Sequence, residues 1–218
     1  MEATNILDPI NDIKDRIHII GCGAIGSNLA VMLTRLGAVK LELWDADTVE
    51  EHNITNQAYT NSDIGRLKVE ALADHLLEIN PNVIVIAHTY NYEDERLSGH
   101  VFMAVDSIET RNNIVDINKL NQNIKTMGDF RMGTYQAQAY LVPWKGKHIQ
   151  FLKDTMNFTD EEAEELTPVS PCGTHMSVLP TIQTVVSAGV QNWIALLRNR
   201  EHHKIIGVNL QSMVIMTI

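Results

Sequence analysis

Three closely spaced glycines follow a short apolar run in the segment RIHIIGCGAIGSNLAVMLTRLG. Their spacing is G-x-G-x-x-G, and the residues after them are apolar at helical intervals. The first glycine of such a motif permits a tight turn, the second lets a phosphate approach the backbone, and the third lets helix pack on strand. The amides that begin the helix can bind an anion. The segment therefore predicts a strand, a phosphate-binding turn and a helix, with binding residues Gly21, Gly23, Ala24, Ile25 and Gly26.

Short apolar runs alternate with helix-periodic segments as far as Gly133. The runs NVIVIAH and VFMAV are typical of strands buried on both faces of a parallel sheet. Residues 66–79 have the apolar spacing of a helix. This alternation predicts an α/β fold with a Rossmann-like, doubly wound, mainly parallel sheet.

A different pattern follows Gly133. The segments TYQAQAYLV and KHIQFL predict additional C-terminal strands, SVLPTIQTVVSAGVQNWIALLRN predicts a long C-terminal helix, and IIGVNLQSMVIMTI predicts a terminal strand. Because no linker or low-complexity region divides the chain, we expect a single domain over residues 1–218. Its Rossmann core would span about residues 16–142, and a C-terminal loop, helix and strand would span about 143–218.

Charge and composition exclude several classes of protein. Lysine and arginine number 17 against 27 aspartates and glutamates, and the resulting net charge of −10 disfavours a nucleic-acid partner. No apolar run approaches the roughly 18 residues that a membrane span needs. Two cysteines, Cys22 and Cys172, provide neither a disulfide framework nor a zinc site built on C-x-x-C motifs. We expect a cytoplasmic protein without zinc that binds neither nucleic acid nor a membrane.

An acidic residue follows the second predicted strand at the distance that a nucleotide-binding fold requires. Asp45 lies 45 − 26 = 19 residues after Gly26, which suits a hydrogen bond to a ribose hydroxyl. The glycine turn and this aspartate together indicate an adenine nucleotide. They do not distinguish NAD from ATP, so an NAD-dependent oxidoreductase remains an alternative at this point.

Further motifs follow in a fixed order. They are GCGAIG, DADTV, NITNQ, GRLK and DSIETR. In this series the chain resembles the adenylyltransferases related to ThiF, MoeB and the ubiquitin-activating enzymes, whose motifs are G-x-G-x-x-G, D-x-D-x-V, N-L-x-R-Q, G-x-x-K and D-N-x-x-x-R. The resemblance covers about residues 17–142 well and the C-terminal helix more weakly. It implies ATP and Mg²⁺ as cofactors.

The resemblance also implies roles for the polar residues that follow the glycine turn. Asp45 matches the family's ribose-binding acid, and Asp47 matches a second acid that helps to order the loop. Asn53 and Gln57 match polar positions on the phosphate side of the nucleotide. A triphosphate needs many polar contacts, which accounts for a polar run that a redox Rossmann domain does not need.

Charged residues beyond this loop match the family's catalytic positions. Lys68 matches the lysine that neutralises phosphate, and Asp106 matches the aspartate that holds Mg²⁺. Taken singly, such a lysine is usually solvated and such an aspartate is often a helix cap. The family's arginine between the asparagine and glutamine positions is Asn56 here. Arg131 in GDFRMG, expected just after the fifth strand, is a candidate replacement, and a structural ion pair with Asp129 is the alternative.

One cysteine matches the region where thioester-forming family members keep theirs. Cys172 lies in TPVSPCGTHM, a loop that precedes the long helix. A helix N-terminus or His175 could lower its pKa and favour the thiolate. An inert loop cysteine is the alternative interpretation.

The resemblance implies ATP-dependent adenylation of a C-terminal carboxylate. The substrate would be a small ubiquitin-like or sulfur-carrier protein, or a peptide, with thioester formation or sulfur transfer at Cys172 as a subsequent step. Family members are commonly dimers, so a homodimer is expected. Two alternatives remain: an NAD-dependent oxidoreductase, and a non-catalytic module that binds nucleotide or a ubiquitin-like partner. The replacement of the family arginine by Asn56 keeps the second alternative open.

Overall fold

A single eight-stranded sheet organises the residues that the computed structural model describes, which are 14–159, 161–162 and 178–218. Its strands are β1 (Ile17–Ile20), β2 (Lys40–Trp44), β3 (Ile84–His88), β4 (Gly99–Met103), β5 (Ile124–Met132), β6 (Gln136–Pro143), β7 (Ile205–Asn209) and β8 (Val214–Thr217). The α-helices whose bounds lie within these residues are α1 (Ala24–Arg35), α2 (Lys68–Ile79), α3 (Ile108–Asn118), α4 (Lys147–Asp154) and α5 (Leu179–Leu197), and two short 3₁₀ helices span Glu51–Thr55 and Asn61–Asp63.

The strand order is β3-β2-β1-β4-β5-β6-β7-β8. Neighbours from β3 to β5 are parallel, and β6, β7 and β8 add to this core as antiparallel strands. The predicted Rossmann-like sheet with additional C-terminal strands is therefore confirmed. The chain passes from β1 to β2 on one side, whereas β4 lies on the other side of β1. In open α/β sheets such a switch point is where ligands bind, at the carboxyl ends of the strands.

Helices cover the two faces of the sheet with separate apolar cores. On one face, α1, α2 and α5 share a core that includes Leu29, Leu33, Leu72, Val186 and Trp193. On the other, α3 and α4 contribute Ile114, Val115 and Leu152. The predicted long C-terminal helix is thus α5, and it packs beside the helix that follows the glycine turn. No helix in the described residues is long and apolar enough to cross a membrane.

Two predicted C-terminal elements were wrong. The segment KHIQFL is helix α4 rather than a strand. Gly146, at φ +55°, turns the chain out of the sheet before this segment, and Leu152 is the residue that the helix buries. The segment IIGVNLQSMVIMTI is a hairpin of β7 and β8 rather than one strand. Its turn is stabilised where the Ser212 amide donates to Asn209 Oδ1 at 3.0 Å, and Met213 has a φ of +56°.

The strand β3 is not buried on both faces as NVIVIAH predicted. It lies at the edge of the sheet, and Ile84 is 56% exposed. The connection from β3 to β4, residues 89–98, contains no helix. No crossover helix therefore covers the sheet face beside Ile84 and Ile86. The apolar run of β3 reflects the preference of these residue types for strands rather than burial.

Candidate active site

The glycines of the turn have distinct structural roles. Gly21 has a φ of +92°, and a Cβ there would lie 2.7 Å from the Ala104 carbonyl oxygen just beyond β4. A Cβ on Gly26 would lie 1.8 Å from the Gly21 carbonyl oxygen, so close packing of helix and strand excludes a side chain. At Gly23, by contrast, a Cβ would meet nothing within 4 Å. The space beside Gly23, at the N-terminus of α1, is therefore open to a ligand.

Asp45 connects the end of β2 to this turn. Its Oδ2 accepts from the Cys22 amide at 2.7 Å, and its Oδ1 accepts from the Asp47 amide at 2.9 Å. Burial raises the pKa of Asp45, while these two hydrogen bonds and the positive charge of Lys68 oppose the shift. Each carboxylate oxygen can accept a further hydrogen bond, so the predicted bond from a ribose hydroxyl is compatible with these contacts.

Lys68 lies beside the same segment as the first residue of α2. Its Nζ is 2.8 Å from Asp47 Oδ2, and its backbone amide donates to the Asp47 carbonyl at 2.9 Å. The lysine side chain is 9% exposed, whereas that of Asp47 is 69% exposed. A buried ammonium held against a solvent-exposed partner is available to a phosphate that approaches from the solvent side. The interpretation of Lys68 as an ordinary solvated lysine is therefore wrong.

The predicted phosphate-side residues belong to one segment, residues 53–59, which we call the polar loop. Asn53 is buried, and its Oδ1 accepts from the Glu50 amide at 2.9 Å, so this oxygen stabilises a short 3₁₀ helix. Gln57 Oε1 is buried without a hydrogen-bond partner among the described residues. A ribose hydroxyl or adenine amine could donate to it, and a turned-over amide would offer its NH₂ group to phosphate. Gln57 therefore fits a bound nucleotide.

The polar loop is fixed to the glycine turn by residues that none of the sequence motifs marks. The Ala58 amide donates to Ser27 Oγ at 3.0 Å, and Tyr59 OH donates to the Cys22 carbonyl at 2.7 Å. The sequence offered a weak signal, because Ser27 and Asn28 are polar residues at the start of a mainly apolar helix, and the structure buries Ser27 completely. Its partner is 31 residues away, and spacing along the chain does not reveal such a contact.

Asp106 lies at the carboxyl edge of the sheet, three residues after β4. It is exposed, and its Oδ1 accepts from the Ser107 amide at 2.9 Å. The residue that caps α3 is Ser107, whose side chain accepts from the Thr110 amide at 3.1 Å. The alternative role of Asp106 as the cap of this helix is therefore excluded. Asp106 lies two residues after Ala104, whose carbonyl oxygen lies beside Gly21.

A magnesium ion would have Asp106 as its protein ligand. No group of three His, Cys, Asp or Glu side chains within the described ranges could hold a metal by itself. This arrangement fits Mg²⁺, which is usually bound by one or two carboxylates together with substrate phosphates and water.

Arg131 lies within β5 rather than after it, and it takes part in an ion-pair network. Its Nε donates to Asp129 Oδ2 at 2.7 Å, while Nη1 and Nη2 donate to the carbonyl and Oγ1 of Thr155 at 2.6 and 2.8 Å. Asp129 is fully buried, and its Oδ1 lies 3.0 Å from Arg111 Nε. The structure thus contains the ion pair that was the alternative interpretation of Arg131. A role for this residue in the site stays a prediction.

Arg111 was not selected from the sequence, although it ends the motif DSIETR. Its guanidinium donates to the Val105 carbonyl and, at 3.4 Å, to the Asp106 carbonyl. It also donates to the Phe130 carbonyl at 2.9 Å. The pair of Arg111 and Asp129 therefore holds the turn that carries Asp106 against β5. Cys172 and His175 lie outside the described residues.

Comparison with known proteins identifies the family. The sequence matches the ThiF family over residues 10–216, and the chain belongs to this family. The resemblance inferred from the five motifs is therefore confirmed.

Relatives with established names match a smaller part of the chain. It is 41% identical over 92 residues to ubiquitin-like modifier-activating enzyme 5 of Drosophila mojavensis, and the match covers 42% of this chain and 23% of that protein. The enzyme of the same name from Caenorhabditis briggsae is 37% identical over 92 residues, which are 42% of this chain and 21% of that protein. The match thus spans less than a quarter of the length of these relatives.

Solved structures match the fold over nearly the whole chain. A crystal structure of E. coli MccB with ATP has a TM-score of 0.73 at 18% identity, and the alignment covers 98% of this chain and 65% of that chain. A crystal structure of PaaA has a TM-score of 0.74 at 18% identity, with coverage of 97% and 66%. At this level of identity the likeness concerns the fold.

Proposed function

We propose that the chain adenylates the C-terminal carboxylate of a small ubiquitin-like or sulfur-carrier protein, or of a peptide, with ATP and Mg²⁺. The observation that carries the proposal is the buried ammonium of Lys68, 2.8 Å from Asp47 and beside the buried Asp45. An NAD-dependent oxidoreductase needs a glycine turn and a ribose-binding acid. It has no comparable need for a buried cation at this place, whereas a triphosphate does.

Adenylation forms a bond between a carboxylate oxygen and the α-phosphorus of ATP. The bond from that phosphorus to the bridging oxygen breaks, and pyrophosphate leaves with its electron pair. Because an anion attacks an anion, the barrier is lowered by positive charge and N–H groups placed where negative charge develops. The amides beside Gly23 and the ammonium of Lys68 are suited to this role. Mg²⁺ held by Asp106 and the phosphates would neutralise further phosphate charge.

The proposed substrate class follows from the relatives. The curated relatives are named for the activation of a ubiquitin-like modifier. A structural neighbour is described as a microcin C7 biosynthetic enzyme in complex with N-formylated MccA, and MccB has also been solved with ATP. A carrier protein and a peptide are therefore both included in the proposal. The proposal also includes a homodimer, which the family resemblance implies. It further includes a cytoplasmic location, which the low cysteine content implies.

The purified protein is expected to bind ATP·Mg²⁺ in preference to NAD. Asp45 and the glycine turn can bind the adenosine part of ATP or of NAD. Lys68 and Asp106 favour ATP, because their proposed roles are to bind the triphosphate and its Mg²⁺. Isothermal titration calorimetry with both ligands measures the difference. NAD binding without measurable ATP binding would support the oxidoreductase instead. ATP binding without pyrophosphate exchange, when candidate carriers ending in a free carboxylate are supplied, would support the non-catalytic module.

Cys172→Ala is expected to preserve substrate-dependent ATP–pyrophosphate exchange, because carboxylate attack on phosphorus requires no thiol. If Cys172 forms a thioester, the wild-type protein will also give a carrier adduct on a non-reducing gel, and this adduct will disappear with excess thiol. The alanine variant will not form it. Loss of exchange in the variant would contradict this order of steps, and an unchanged adduct would remove Cys172 from the proposal.

A further inference from the structure

A hydrogen bond connects α5 to the residue that holds the polar loop. Gln183, an exposed residue of α5, donates from Nε2 to Asn28 Oδ1 at 2.6 Å. Asn28 is buried on α1, and its Nδ2 donates to the Ala24 carbonyl at 2.7 Å and to the Asn56 carbonyl at 3.0 Å. Asn56 belongs to the polar loop. The network thus links residues 155 positions apart in the chain, beside the glycine turn.

The orientation of each amide in this network is determined by chemistry. Two carbonyl oxygens face one end of the Asn28 amide, and only an NH₂ group can donate to both. The other end must therefore be the oxygen, which can only accept. Gln183 must then donate to it, so its NH₂ group faces Asn28. One arrangement of donors and acceptors satisfies the whole network.

We propose that Gln183 is a positioning residue for nucleotide binding. By donating to Asn28 it favours the orientation in which Asn28 holds the Asn56 carbonyl, and this contact keeps the polar loop against the glycine turn. Gln57, with its unpartnered buried oxygen, is the next residue along the loop. A change at Gln183 therefore alters nucleotide contacts without touching the nucleotide. The inference rests on the proposed function, since it requires the polar loop to contact ATP.

Gln183→Glu replaces the donor with a carboxylate of nearly the same shape. The carboxylate repels Asn28 Oδ1 and favours the turned-over amide, in which oxygen would face the carbonyls of Ala24 and Asn56. The Kd for ATP·Mg²⁺, measured by calorimetry, is expected to rise about tenfold, which corresponds to the loss of about one hydrogen bond to the loop. Gln183→Lys keeps a donor at this position and is expected to bind ATP within about twofold of the wild type.

The effect of charge alone is measured by matched controls. Gln191 is exposed on the same helix as Gln183. Gln191→Glu should leave the Kd for ATP·Mg²⁺ unchanged.

A second control uses an Asn28→Ala background, whose thermal unfolding is measured in parallel. In this background Gln183→Glu should cause no further loss of ATP affinity, because the residue through which it acts is missing. An equal loss in that background, or wild-type affinity in Gln183→Glu itself, would overturn the inference. Absence of ATP binding by the wild-type protein would instead overturn the proposed function, and the inference with it.

Discussion

Replacement of Lys68 or Asp106 by alanine is expected to lower the rate of substrate-dependent ATP–pyrophosphate exchange by at least about tenfold. Lys68→Ala removes the buried ammonium beside Asp47. Asp106→Ala removes the protein ligand proposed for Mg²⁺. Both changes act on charge that stabilises the transition state. Exchange of radiolabelled pyrophosphate into ATP, with the carboxylate substrate present, measures the effect.

An exposed lysine and an exposed aspartate outside the site serve as controls. Lys119 follows α3, and Asp94 lies in the connection from β3 to β4. Lys119→Ala and Asp94→Ala should exchange pyrophosphate at the wild-type rate. The thermal unfolding of all four variants should be similar, because neither Lys68 nor Asp106 belongs to an apolar core. Exchange at the wild-type rate in Lys68→Ala or Asp106→Ala would remove that residue from the catalytic assignment.

Local patterns in the sequence were sufficient to predict the parallel half of the fold. The glycine spacing, the apolar run before it and the apolar periodicity after it all depend on neighbouring residues, so β1, the turn and α1 are found where they were predicted. The position of Asp45 followed from a spacing that the βαβ geometry sets. The extent of the single domain, by contrast, stays a prediction.

The sequence was less informative where a role depends on partners that are distant in the chain. Asn53 was assigned to the phosphate side, yet its Oδ1 also stabilises its own 3₁₀ helix. Arg131 was assigned to the site, whereas its guanidinium is engaged with Asp129 and Thr155. Ser27 was overlooked, although it fixes the polar loop. Such roles depend on tertiary contacts, which residue type and spacing do not determine.

Short C-terminal elements were wrongly assigned for a related reason. The segment that forms α4 has eight residues, too few for apolar periodicity to separate a helix from a strand. The hairpin of β7 and β8 alternates on both sides of its turn, so the turn itself was hidden within what resembled one strand. The left-handed conformation of Met213 occurs at a residue type that does not indicate a turn.

Gly23→Val is expected to weaken ATP binding while leaving the fold intact. A Cβ at this position meets nothing within 4 Å, so the side chain starts in open space rather than against the backbone. It would instead occupy the open space at the N-terminus of α1 and keep phosphate away from the amides. Loss of hydrogen bonds to a charged group, at about 1.5–3 kcal/mol, corresponds to roughly a tenfold to hundredfold rise in the Kd for ATP·Mg²⁺. Calorimetry measures this rise.

Gly26→Ala is the matched comparison, because a methyl group there affects the fold rather than the ligand. Its Cβ would lie 1.8 Å from the Gly21 carbonyl oxygen, and the backbone cannot relax as a flexible side chain would. We expect the free energy of unfolding to fall by about 3 kcal/mol or more, measured by chemical denaturation. The two variants should therefore separate: Gly23→Val unfolds like the wild type and binds ATP poorly, whereas Gly26→Ala is destabilised. Wild-type ATP affinity in Gly23→Val would show that phosphate does not approach the turn at this glycine, and the adenylation site would have to lie elsewhere.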